Sequence, residues 1–151
     1  MNTNELITYF EKEYNKKMND IPCYEWQEIS QFKYLTEEFI EKFKIRIYWH
    51  LISCCQILSE EFMEKYKKRI AWCLISKYQK LSEEFIKKYK NKVNWVWISE
   101  YQNLSGEFIN KYKDIIDWGY ISKENKINYL QYQAKNNIIS KEKYLKEILK
   151  L

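Results

Sequence analysis

The sequence predicts an all-α protein, a short α-solenoid of stacked two-helix, 23-residue repeats with N- and C-terminal capping helices. Three observations carry this. Trp26, Trp49, Trp72, Trp95 and Trp118 stand 23 residues apart, without insertion or deletion. The 151 residues include only two Gly (Gly106, Gly119) and one Pro (Pro22), too few turn-formers for a strand-rich or loop-rich chain. Apolar residues between the Trp fall at helical spacing, and each run follows a residue able to cap a helix.

In chain order, Thr3 to Met18 reads as an opening helix with Leu6, Phe10 and Tyr14 inward, ended by Asp20-Ile21-Pro22. Residues 1–25 form the N-terminal cap, residues 26–117 four full repeats, and residues 118–151 a degenerate repeat with the C-terminal cap, all in one repeat domain. Within a unit, Trp is followed three residues on by Ile and four on by Ser: Ile29 and Ser30, Ile52 and Ser53, Ile75 and Ser76, Ile98 and Ser99. This first helix is expected to be the shorter of the two, with Asn94 or Asp117 as caps, and its Ser to be a small spacer. The second helix starts at Thr36, Ser59, Ser82 or Ser105, all good N-caps, followed by Glu at the positive end of the helix dipole. Gly106 replaces the first Glu in the fourth copy, where the start should be less firm. Leu before the cap and Ile or Met five residues later match a hydrophobic staple (Leu58 and Met63, for example). Phe62, Tyr66 and Ile70 share one inward face, and Glu61 is placed to pair with Lys65. The fifth copy decays after Ser122: Ile127 keeps the Leu position, but Gln131 stands where Phe should be. Ser140 to Leu151 reads as a closing helix with Tyr144, Leu145, Ile148 and Leu149 inward.

The matching text, WCLISKYQKLSEEFIKKYKNKVNW over Trp72–Trp95, resembles a family of 23-residue tandem helical repeats (W-x-x-I-S-x-x-Q-x-L-S-E-E-F-I-x-K-Y) of AT-rich bacteria, phages and giant viruses. The resemblance covers about Trp26 to Ser122. It implies an interaction array and no shared chemistry. A small stand-alone array of this kind is also similar in style to phage-encoded inhibitors of host defence effectors of the CRISPR–Cas type.

The net charge of +5, from 26 basic and 21 acidic residues, excludes an acidic nucleic-acid mimic. No apolar run approaches the ~18 residues of a membrane span, and Met1 to Phe10 carries no signal-peptide core, so a cytoplasmic protein of a bacterial or virus-infected cell is expected. Cys23, Cys54, Cys55 and Cys73 contain no C-x-x-C and read as reduced thiols. Phosphate loops, nucleophile elbows and H-E-x-x-H are missing, and the single His removes most acid–base schemes. No enzyme, cofactor or metal is expected. His50, Cys54 and Cys73 are the one ligand-like set, and it has neither recurrence nor a zinc-type spacing.

Positions that hold the fold must repeat, whereas contact positions are free to vary. Variation falls one, five and eight residues after each Trp, and at aromatic residues outside the repeat register. The residues expected to bind a protein partner are therefore Tyr34, His50, Ile57, Lys77, Tyr78, Lys80, Trp97, Glu100, Tyr101 and Asn103. Two rows of lysine, Lys42, Lys65, Lys88, Lys111 and Lys44, Lys67, Lys90, Lys113, support an alternative in which the array tracks an RNA or DNA backbone. A self-assembling structural repeat is the third reading. A protein partner is the expectation, with nucleic acid as the alternative and no membrane.

Overall fold

A hydroxyl in front of an acidic turn starts the second helix of every repeat. Thr36 Oγ1 accepts from the Phe39 N–H, Ser59 Oγ from Phe62, Ser82 Oγ from Phe85 and Ser105 Oγ from Phe108, each at 3.1 Å. Such a cap contributes about 1 kcal/mol. The computed structural model describes all residues, Met1–Leu151, as eleven α-helices with no strand, in two compact units.

The unit Met1–Gln79 contains α1 (Thr3–Glu13), a 3₁₀ turn (Met18–Asp20), α2 (Cys23–Gln31), α3 (Glu37–Lys42), α4 (Trp49–Cys55), α5 (Glu60–Lys65) and α6 (Trp72–Tyr78). The first helices of its repeats, α2, α4 and α6, pack side by side, and α1 packs on α3. Its interior is built on Leu6, Trp26, Ile29, Phe39, Ile40, Ile52, Met63 and Ile75, all fully buried. Each such side chain contributes about 1.5–3 kcal/mol. The unit Lys80–Leu151 contains α7 (Glu83–Lys88), α8 (Trp95–Tyr101), α9 (Gly106–Lys111), α10 (Lys123–Lys135) and α11 (Lys141–Ile148), with α10 against both α9 and α11. Its core holds Ile98, Leu104, Phe108, Ile109 and Ile121.

Several expectations need correction. The opening helix stops at Glu13 rather than Met18, because Asn15 turns the chain at φ 49. The second helices, at six residues, are the shorter ones. They end at the residue before Phe43, Tyr66, Tyr89 or Tyr112, yet the inward face continues because the following turn keeps an i→i+4 bond, as in Ile70 N–H to the Tyr66 carbonyl at 3.1 Å. Lys65 pairs with Glu41 of the preceding repeat at 2.5 Å instead of with Glu61. Trp118 starts no helix: Asp117 Oδ1 accepts from the Gly119 and Tyr120 N–H groups and folds the segment into a turn. Ile127 and Gln131 then fall inside α10, capped by Ser122. Leu145 on α11 and Leu149 just after it face outward, with Leu149 87 % exposed.

Buried hydrogen bonds tie one repeat to the next. Gln56 Oε1 accepts from the Leu35 N–H at 2.9 Å, while its Nε2 donates to the carbonyls of Ser30 (3.3 Å) and Phe32 (2.8 Å). Gln79 repeats this on Leu58 N–H, Ser53 and Gln56 at 3.0, 3.0 and 2.7 Å. Gln102 accepts from Leu81 N–H at 3.0 Å, and Asn125 clamps Leu104 N–H, Ser99 and Gln102 at 2.9, 3.1 and 2.8 Å. These amides satisfy backbone groups that a buried turn otherwise strands. The recurring Ser is more than a spacer: Ser53 Oγ donates to the Trp49 carbonyl (2.7 Å) and accepts from the Ala71 N–H at the head of the next repeat (3.0 Å). Ser30 and Ser99 do the same toward Tyr48 and Asp117.

Candidate functional site

Repetition separates buried from exposed residues along the first helices. Ile52 and Ser53 on α4, and Ile75 and Ser76 on α6, are fully buried. The turn after each helix leaves the surface residues in a row held by the amide clamps. Tyr34 precedes Leu35, whose N–H bonds to Gln56, the residue before Ile57; Leu58, the residue after Ile57, bonds through its N–H to Gln79, the residue after Tyr78. In the first unit Ile57 is 89 %, Tyr34 66 % and Tyr78 53 % exposed. Tyr34 sits at φ 78, a left-handed conformation that an aromatic residue adopts only at a cost of about 1–3 kcal/mol. Lys33 Nζ lies 5.0 Å from the Tyr34 ring centre and Lys77 Nζ 5.2 Å from that of Tyr78, so each exposed ring carries a cation. His50 is exposed, its ring edge-on to Tyr48 at 5.9 Å.

In the second unit Tyr101 is 48 % exposed and packs on the half-buried Trp97 with ring centres 5.7 Å apart. Trp97 is therefore partly a supporting residue. Lys80 and Asn103 are exposed, and Asn103 Oδ1 accepts from Asn128 Nδ2 at 3.4 Å. Glu100 is half-buried. Each unit thus gathers its own share of the sequence-derived residues on turns and first helices.

The register tryptophans are not uniformly interior. Trp26 is fully buried, but Trp49, Trp72 and Trp95 are half-buried. Their indole N–H groups donate to the carbonyls of Lys44, Lys67 and Lys90 at 3.1, 3.1 and 2.9 Å, as Trp118 does to Lys113. One ring face of Trp49 meets Tyr66 at 4.7 Å, and the Arg69 guanidinium lies 5.8 Å from the ring centre. An indole needs a partner for its N–H, which keeps it at the edge of the core. At Trp26 the equivalent carbonyl, that of Ile21, accepts from Arg46 instead, and the indole nitrogen has no partner.

The lysine rows are exposed and divided in their surroundings. Lys42, Lys65, Lys88 and Lys111 each lie about one ring-width from Phe43, Tyr66, Tyr89 and Tyr112, with Nζ 6.0, 5.7, 5.7 and 5.9 Å from the centres. Lys65 is also held by Glu41, whose carboxyl that hydrogen bond lowers below the usual range. Lys44, Lys67, Lys90 and Lys113 present their side chains to solvent from the turns that cradle the indoles. The grooves between successive second helices, about 460 Å³ beside Glu37 and 260 Å³ beside Glu83, are lined by acids with structural work. Glu37 accepts from the Ser59 N–H at 2.6 Å, and Glu83 from Ser105 at 2.5 Å.

Among the thiols, Cys54 and Cys55 sulfurs lie 3.1 Å apart at the end of α4. Partial desolvation at the end of α4, with Cys54 beside it, pushes the Cys55 thiol up to about 11, so it is protonated at neutral pH although the residue is exposed. His50, Cys54 and Cys73 form no converging group of three metal-capable side chains. No helix is long and apolar enough to cross a membrane. Comparison with family models, with curated proteins and with solved structures finds no match for this chain.

Proposed function

We propose that this chain is a non-catalytic protein-binding helical repeat module, with the turns and outer surfaces of the first helices in each unit as its recognition surfaces. One observation carries the reading. Large side chains at the recurring positions are inside or at the core's edge, apart from Trp118 in the degenerate fifth copy, whereas Tyr34, Ile57, Tyr78 and Tyr101, at positions whose residue type changes between repeats, project into solvent. Exposed aromatic and aliphatic anchors with a polar surround are what a protein interface uses. The resemblance of the repeat adds a narrower proposal, that the partner is a host defence effector.

The test is affinity capture from the source cells with the wild-type chain, Tyr34→Ala/Ile57→Ala and Trp97→Ala/Tyr101→Ala as baits. The reading expects one protein enriched stoichiometrically by wild type and depleted at least tenfold by one of the double variants, with unchanged circular dichroism. Enrichment that both variants leave intact would refute the assignment of the face. Recovery of RNA or DNA instead, released steeply by salt, would move the function to the lysine rows.

A further inference from the structure

We infer that the outer surface of α4 and α6, with the turns bearing Tyr34 and Ile57, takes an acidic amphipathic helix of the protein partner. This rests on the proposed function and specifies the chemistry of the occupant. The argument begins with charge. No Asp or Glu occurs between Glu41 and Glu60, or between Glu64 and Glu83. Both first helices and the turns around them therefore lack a carboxylate. The acids of these repeats are confined to α3 and α5, where Glu37 accepts from the N–H of Ser59, the N-cap of α5, and Glu41 holds Lys65. What α4, α6 and the turn after α4 expose is Ile57, Tyr78, His50 and thiols, with Lys77 on the Tyr78 ring and Lys33 on the ring of Tyr34. An apolar surface whose only charges are cationic complements a partner with apolar anchors and flanking carboxylates.

Geometry selects a helix as the form of that partner. Tyr34 and Ile57 stand one repeat apart beside the Gln56 clamp, and Tyr78 stands beside the Gln79 clamp in the next repeat, two residues before the equivalent position. Packed helices are spaced about 8–10 Å apart. An α-helix rising 1.5 Å per residue brings its i and i+7 side chains about 10.5 Å apart on one face, which matches one anchor per repeat. The clamps also fix the anchors before binding, so little ordering of this surface opposes association.

The experiment uses the full chain and three fluorescein-labelled peptides in anisotropy titrations. The first is helical, with Leu and Phe at i, i+3, i+7 and Glu on both flanks. The second has every Glu replaced by Lys, and the third is a scramble of the first. The inference expects the acidic amphipathic peptide to bind at least tenfold more tightly than either control. It also expects Ile57→Glu to weaken that binding at least tenfold and Lys77→Glu several-fold, both variants keeping the wild-type circular dichroism and melting midpoint. Equal binding of the three peptides, indifference to Ile57→Glu, or displacement of the peptide by a single-stranded oligonucleotide overturns it. If the peptide panel fails while a captured partner still depends on Tyr34 and Ile57, the occupant is misassigned and the protein-binding reading stands. If the captured partner is also indifferent, the reading itself falls.

Discussion

Replacing Gln56 with Leu keeps most of the side-chain volume and removes one complete clamp. Gln56 is buried, and three backbone groups lose their partner: the Leu35 N–H and the carbonyls of Ser30 and Phe32. Stranding a buried polar group costs about 1–3 kcal/mol. The bond to Ser30 is long at 3.3 Å and counts at the low end, and the added methyl groups of Leu recover about 1 kcal/mol or more. The net expected cost is about 3–5 kcal/mol, a large part of the about 5–15 kcal/mol that holds a domain folded. At about 2–4 °C per kcal/mol for a chain of this length, the melting midpoint should fall by roughly 6–20 °C. Lys33 supplies the control. It occupies the same repeat position one copy earlier but is exposed, so Lys33→Leu should change stability by less than about 0.5 kcal/mol. Urea and thermal melts followed by circular dichroism measure both. A Gln56→Leu midpoint within 2 °C of wild type would refute the argument that these amides hold adjacent repeats together.

Ser53→Ala should cost about 1–2 kcal/mol by leaving the Ala71 N–H without its acceptor, read by the same melts. Gly106→Ala should destabilise by about 1–3 kcal/mol despite the better helix propensity of Ala, because a Cβ there would meet the Asn128 carbonyl oxygen at 2.3 Å and Tyr132 Cβ at 2.4 Å. Equal or higher stability of that variant would show that α10 does not need this close approach to α9. For Glu41, the Lys65 ammonium depresses the folded-state pKa, so its stabilising effect is present above the ordinary carboxylate range and is lost as pH falls through the folded value. Both groups are exposed to solvent, so the effect is small and screened. The wild-type advantage over Glu41→Gln should be measurable at neutral pH in low salt, shrink in 1 M salt and vanish in acid. A carboxyl NMR titration that places Glu41 at or above its unperturbed value removes the basis for this expectation.

The helical class was readable because it rests on short-range physics. Ser59 caps whatever helix follows it, and Ile52 and Ile75 recur at a spacing that only buried positions enforce. The candidate face was readable in part for the converse reason. Tyr34 and Ile57 break the repeat pattern, Tyr78 and Tyr101 share a position held by Phe32 and Cys55 in earlier copies, and all four are exposed. Trp97 breaks it as well, yet supports Tyr101 from a half-buried position. The lengths of α3, α5, α7 and α9 are not legible from aromatic spacing, because that spacing continues through a turn that keeps one i→i+4 bond. Gln56 and Gln79 recur as visibly as the Ser, but a recurring amide carries no label for its partners, which lie 21 to 26 residues earlier.

Local chemistry, then, was enough to specify helices, their caps and the repeat of 23 residues, because each depends on neighbours within about one or two turns. Pairings across longer separations were settled by packing. That Glu41 meets Lys65 rather than Lys44 alone, that Trp49 keeps its N–H at the core's edge, and that Gly106 admits α10 all follow from which backbones come to lie side by side. Such contacts depend on distances between segments far apart in the chain, and a one-dimensional pattern holds no measure of those distances.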